Sequence, residues 1–90
     1  MTHLHDSPAL VARVKRIIGQ LQAVERGLTD GQDCAKTLHL AAAVRGAVNG
    51  LIDELIEAHV RTHVAAPDLP QAEREQGAEE LIAAIPRYAK

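Results

Sequence analysis

Aromatic residues are almost missing from this chain of 90 residues, which has no Phe and no Trp and carries Tyr88 alone. The apolar 47% is therefore mostly Ala, Leu, Val and Ile, small aliphatics that pack helices closely but bring little apolar area per residue. Chains of this size bury only about 60 to 65% of the surface that they expose when unfolded. An isolated monomer is marginal on those terms, and a partner subunit is the simplest source of the missing volume. Cysteine is equally scarce: Cys34 stands alone, which excludes an intramolecular disulfide. The N-terminus shows neither the basic stretch nor the apolar run of a signal peptide, so the expected location is the reducing cytoplasm. Charges interrupt every hydrophobic stretch before the roughly 18 residues that a bilayer span needs, which argues against membrane insertion. Internal repeats are absent too, and the length leaves room for one domain over residues 1–90.

Net positive charge is also lacking. The formal total is −2, whereas nucleic-acid binding needs cations that displace counterions from phosphates. Distribution matters more than the sum. Residues 8–28 carry Arg13, Lys15, Arg16 and Arg26 against Glu25 alone, and residues 73–80 carry Glu73, Glu75, Glu79 and Glu80 against Arg74 alone. Basic charge is thus segregated toward the N-terminus.

What is present is helical periodicity. Asp6 or Ser7 can cap a first helix that has Pro8 at its first position, where the missing N–H costs nothing. Leu10, Val14, Ile17, Leu21, Val24 and Leu28 then write one apolar stripe, and Gly27 and Gly31 mark its end near residue 28. After the polar Thr29-Asp30-Gly31-Gln32 connection, Asp33 can cap a second helix over about 34–64, the signature of an αα-hairpin. Leu38, Ala41, Val44, Val48, Leu51, Ile52, Leu55 and Ile56 keep the helical period along it. At 1.5 Å per residue this helix is about 45 Å long, more than the first helix can cover. Pro67 and Pro70 break the pattern. A third helix over about 71–88 presents Leu81, Ile82, Ile85 and Tyr88, with Gly77 weakening its start and Pro86 kinking or ending it. The fold class is all-α.

His59 and His63 lie four apart, so both rings project from one face of helix 2 and can share a metal ion. The same spacing suits semi-buried packing histidines, and the pair alone does not decide between the two. Cys34 sits at the opposite end of the helix, about 37 Å from His59 by the helical rise, so the two cannot bind one ion within a subunit. Two copies of helix 2 packed antiparallel bring residue 34 level with about residue 61 and cross near residues 47 to 48. Gly46 and Gly50 flank that point, where glycine lets backbones approach at a cost of about 1 kcal/mol each relative to Ala. Cys34 can equally be a small hydrophobe. At a helix's first turn, where negative charge is favoured, it can be a ligand or a nucleophile. His3 and His5 belong to a short polar tail, where His3 can reach a metal site or, with the free amino terminus, form a square-planar chelate. His39 has no assigned role and reads as surface or as a residue that supports metal ligands from behind. On helix 1, Arg13, Arg16 and Gln20 line a polar stripe beside the apolar one, with Lys15 adjacent. Such a stripe is either a solvated face or a DNA-binding one, and Arg and Gln suit phosphates and base edges.

Together these residues resemble a known family. Arg13-Val14-Lys15-Arg16-Ile17-Ile18-Gly19-Gln20, then Asp33-Cys34, then Ala42-Ala43-Val44-Arg45-Gly46-Ala47-Val48-Asn49-Gly50-Leu51, then His59 with His63, and Tyr88-Ala89-Lys90 at the C-terminus, are similar to the CsoR/RcnR/FrmR repressors over nearly the whole chain. The resemblance implies a three-helix subunit, an antiparallel dimer with ligands shared across it, and a tetramer of two dimers. It also implies that operator DNA is bound through basic helix 1 faces (Arg13, Lys15, Arg16, Gln20) and released when the effector binds, by coupling between two sites. Copper sensors of the family use a second cysteine where this chain has His63, and Cu(I) prefers thiolates. Persulfide sensing needs two cysteines. The set His3, Cys34, His59, His63 is similar to that of the nickel/cobalt-sensing branch, with zinc a further divalent candidate. Thr62 departs from that branch, where an acidic residue often stands. The formaldehyde-sensing branch pairs an N-terminal proline with the same cysteine and usually lacks the last histidine. Thr2 and His63 depart from that pattern, so aldehyde sensing through Cys34 and the N-terminal amine is the alternative. Catalysis by Cys34 would need a concave pocket and an oxyanion site that three thin helices do not offer, so the chain does not read as an enzyme. A metal buffer that forms the same dimer without DNA is the remaining competitor, resting on the net negative charge.

Overall fold

The computed structural model describes the backbone of residues 7–88 and the side chains of residues 7–85. Three helices follow in order, α1 (Pro8–Thr29), α2 (Cys34–His63) and α3 (Gln71–Tyr88), and the described residues contain no strand. The chain divides into two compact units, one of Ser7–Asp53 and one that includes Glu54–Lys90. α2 contributes to both.

In the first unit, α1 starts where its sequence predicts. Ser7 is extended, its hydroxyl accepts from the Leu10 N–H at 3.3 Å, and Pro8 follows at the first helical turn. The side chain satisfies one of the amides that a helix start leaves without a partner. The helix ends on Gly31, which takes φ +69°, and the Gln32 N–H donates back to the Gly27 carbonyl at 3.0 Å. That is the six-to-one bond of a Schellman ending, for which a left-handed residue is required. Gly27 has a different task. It is buried, and a Cβ there would stand 2.9 Å from the Thr37 hydroxyl and 2.5 Å from Gln32 Oε1. Its lack of a side chain lets the α1–α2 turn close.

The apolar stripe of α1 is largely uncovered by its own chain. Among the described residues Ile17, at 7% exposure, is the one buried hydrophobic residue, while Leu21 is 50% and Leu28 71% exposed. In α2, Leu38 is 66% exposed.

In the second unit, α2 ends with the Val64 and Ala65 amides both donating to the Val60 carbonyl. The linker to α3 is fastened by Arg74, whose guanidinium donates to the Val64 carbonyl and, at 3.3 Å, to that of Leu69. Gly77 corrects the sequence expectation. It does not mark a weak start of α3 but is buried inside the helix against the end of α2, where a Cβ would collide with the His63 carbonyl oxygen and come within 2.8 Å of His63 Cβ. Pro86 does not stop the helix at once: α3 runs on to Tyr88, so the proline removes the i→i−4 bond at its own position but has little helix beyond it to disrupt. The expected apolar face of α3 is half-realised, with Leu81 half-buried and Ile82 and Ile85 59% and 43% exposed.

Candidate metal centre and nucleic-acid face

The i, i+4 spacing of His59 and His63 does place the rings together, with centroids 4.9 Å apart and planes at 44°. His59 is held from α3. Its Nε2–H donates to the Gly77 carbonyl at 2.8 Å, and Glu80 Oε1 stands 3.9 Å from the same nitrogen. A carbonyl can only accept, so this bond puts the proton of a neutral ring on Nε2 and leaves Nδ1 with the free lone pair. With 20% of its side chain exposed, His59 is partly shielded while Glu80, at 53%, faces solvent. His63 borders a cavity of about 280 Å³ that is also lined by Leu69, Glu73, Gln76, Gly77 and Glu80.

Two imidazoles are half of the usual four-coordinate set of nitrogen and sulfur donors. Among the described residues no group of three or more His, Cys, Asp or Glu side chains is gathered to hold an ion. Cys34 is exposed at the first residue of α2. It lies on the edge of an apolar cavity of about 430 Å³ formed with Val24, Gly27, Leu28, Thr37 and Leu38. Among the described residues, the structure thus brings His59 and His63 together without Cys34 beside them. His3, the fourth member of the expected set, and His5 lie outside the described residues. His39 is exposed. Sequence alone gives Glu80 and Gly77 no part in the site, Glu80 being one of an acidic run and Gly77 a weak point of α3. A glycine inside an otherwise good helix was the only signal of the second.

On α1 the four residues of the basic stripe separate into two kinds. Lys15 and Arg16 are exposed, and Arg13 and Gln20 are half-buried. Arg13 folds back over α2, with Nη1 2.7 Å from where a Cβ on Gly50 would stand. Gly50 therefore makes room for a side chain of its own subunit, whereas a Cβ on Gly46 would meet nothing within 4 Å. Gln20 buries its Oε1 without a hydrogen-bond donor. Solvent-facing cationic charge is thus offered by Lys15 and Arg16.

Comparison with known proteins gives this arrangement a family. The model of metal-sensitive transcriptional repressors matches residues 6–87. Over 91 residues, with both chains covered in full, the protein is 48% identical to the "Uncharacterized protein in bioA 5'region" of Serratia marcescens. Over the same length, again with both covered in full, it is 35% identical to the transcriptional repressor RcnR of Salmonella typhimurium. Among solved structures it is similar to a variant of the formaldehyde-responsive regulator FrmR from Salmonella enterica serovar Typhimurium. The TM-score there is 0.88 at 34% identity, covering 98% of this chain and 99% of that one. It is also similar to the copper-sensing repressor CsoR with Cu(I) from Geobacillus thermodenitrificans, with a TM-score of 0.84 at 27% identity, covering 100% of this chain and 93% of the other. No helix among the described residues is long and apolar enough to cross a membrane. The chain belongs to the CsoR/RcnR/FrmR family of metal-sensitive transcriptional repressors, which are not enzymes.

Proposed function

We propose that this chain, acting as one DNA-binding and effector-sensing domain over residues 1–90, is a cytoplasmic repressor that holds operator DNA when metal-free and leaves it on binding nickel or cobalt, with zinc as a further divalent effector. The observation that carries this reading is the His59–His63 pair, 4.9 Å between ring centroids, with the far nitrogen of His59 already tied to a carbonyl. Metal-bound histidines almost always donate their other N–H to such an acceptor. His59 and His63 of one subunit and Cys34 of the partner subunit would hold the ion, with His3 completing the set. One thiolate among imidazoles suits a borderline divalent ion better than Cu(I). Bound, that ion would favour the conformation with lower DNA affinity, and the coupling is reciprocal.

The partner subunit is supported by what a single chain leaves bare. Val11, Val14, Ile18, Leu21, Leu28, Leu38, Ile82 and Ile85 are all 40% exposed or more, and fully burying a side chain of this class is worth about 1.5–3 kcal/mol. We infer a homodimer through antiparallel α2 helices, with open Gly46 near the crossing, and a homotetramer of two such dimers. Lys15 and Arg16 would meet phosphates directly, while Arg13 and Gln20 would shape the face beside them. The net charge of −2 per chain already counts these cations, so any attraction to phosphates comes from their clustering on α1 and not from the total.

A second reading has its own support. Cys34 is exposed, as a thiol that meets a small electrophile must be, and one structural relative is formaldehyde-responsive. Anisotropy titration of duplex DNA from upstream of the protein's own gene separates the two. Nickel or cobalt should release the metal-free protein from DNA. Release by formaldehyde, dependent on Cys34, with none by metal, would establish the aldehyde reading instead. Arg16→Ala should weaken DNA binding and flatten its salt dependence by about 0.9 in logarithmic slope for each phosphate that is no longer neutralised. Unchanged affinity and slope would remove the DNA-binding role of α1 and favour a metal buffer.

A further inference from the structure

Gly77 meets both histidines of the candidate centre through two different parts of its backbone. Its carbonyl accepts the His59 Nε2–H at 2.8 Å. Its bare Cα lies where any Cβ would run into the His63 carbonyl and approach His63 Cβ to 2.8 Å. The obstructing atoms are main chain and Cβ, which no side-chain rotation removes, so the approach of α3 to the end of α2 depends on glycine at this position. Glycine inside a helix costs about 1 kcal/mol relative to Ala, and here the cost coincides with close approach to two imidazole-bearing residues.

We infer that Gly77 is a positioning residue: it sets the tautomer and orientation of His59 and the seating of His63 so that Nδ1 of His59 is the nitrogen presented to a metal ion. This deepens the metal-sensing reading and rests on it. The chemistry is that of an outer-shell acceptor. The carbonyl holds the proton on Nε2, the ring cannot turn over without breaking that bond, and Nδ1 keeps its lone pair without reorganisation. Removing such a partner typically weakens metal binding 10- to 100-fold. The acceptor here is a backbone atom, so substitution cannot delete it, but an added Cβ can push it away.

Long-range ¹H–¹⁵N correlation spectra of the reduced, metal-free full chain at about pH 8, where an ordinary imidazole is neutral, report the His59 tautomer directly. Nε2–H should predominate in the unaltered protein, and a predominant Nδ1–H form would overturn the inference without any variant. In Gly77→Ala the tautomers should mix and Co(II) affinity should fall at least about tenfold. Leu81→Ala, which loosens the same helix through packing alone, should leave the tautomer ratio as it was. An unchanged tautomer and unchanged Co(II) affinity in Gly77→Ala, or an equal tautomer change in Leu81→Ala, would reduce Gly77 to a packing glycine. Failure of the unaltered protein to bind Co(II) would sink the metal-sensing reading itself, and the metal-free tautomer tells that failure from failure of the positioning role.

Discussion

At its first residue α2 carries Cys34, exposed on the rim of an apolar cavity, whereas at its end it carries His59 and His63, half-buried, with one ring tied to a carbonyl of α3. The imidazole end is organised by its own chain, through Gly77 and the Arg74 bonds that fasten the linker. At the cysteine end, the chain's own effort goes into closing a turn, by Gly27 and the left-handed Gly31, and the thiol faces outward. In the proposed metal centre the imidazole end would be a preformed half-site, and the cysteine end a donor for another subunit.

Alanine at the two buried glycines sharpens this contrast most. Gly77→Ala drives a Cβ into main-chain atoms of His63, and the overpacking should exceed the gain in helix propensity, lowering stability by about 2 kcal/mol in chemical denaturation. Gly27→Ala meets the ends of the Gln32 and Thr37 side chains, which can rotate away, so stability should stay within about 1 kcal/mol of the parent. Equal losses would remove the distinction between an end organised by backbone packing and one closed by movable side chains. Smaller effects come from the donors themselves in the metal-free protein. His59→Ala removes a part-buried hydrogen bond and should cost about 1 kcal/mol. Cys34→Ala touches an exposed thiol and should change stability by less than about 0.5 kcal/mol. A destabilisation at Cys34 as large as that at His59 would mean that the thiol packs against something in the free protein.

The same contrast explains what was legible in the sequence. Helix limits could be read because they are written locally: Ser7 and Pro8 open α1, Gly31 closes it, and Pro67 and Pro70 interrupt the chain before α3. The shared face of His59 and His63 followed from spacing alone. Gly77, Gly50 and Arg13 could not be read this way, because their meaning depends on residues far along the chain. Gly77 stands 18 residues from His59, with which it bonds, and reads locally as a helix defect. Gly50 suggested an approach between subunits, but the Arg13 side chain of its own subunit lies across it. Arg13 in turn is half-buried, although the periodicity of α1 placed it on a solvent-facing stripe. The apolar stripes were legible as stripes, but sequence could not say how little of them one chain covers.

The central claim is that imidazoles from one subunit and the thiol from another form one metal centre, and complementation between two inactive variants tests it most directly. Reduced Cys34→Ala and His59→Ala proteins are unfolded and refolded together, then titrated with Co(II). Each alone should lack the sulfur-to-cobalt charge-transfer band of the parent. In a two-fold symmetric dimer the mixture restores one complete site per mixed pair, so about a quarter of the parent band should return. A mixture as silent as its components, or a full band in Cys34→Ala alone, would contradict a shared site.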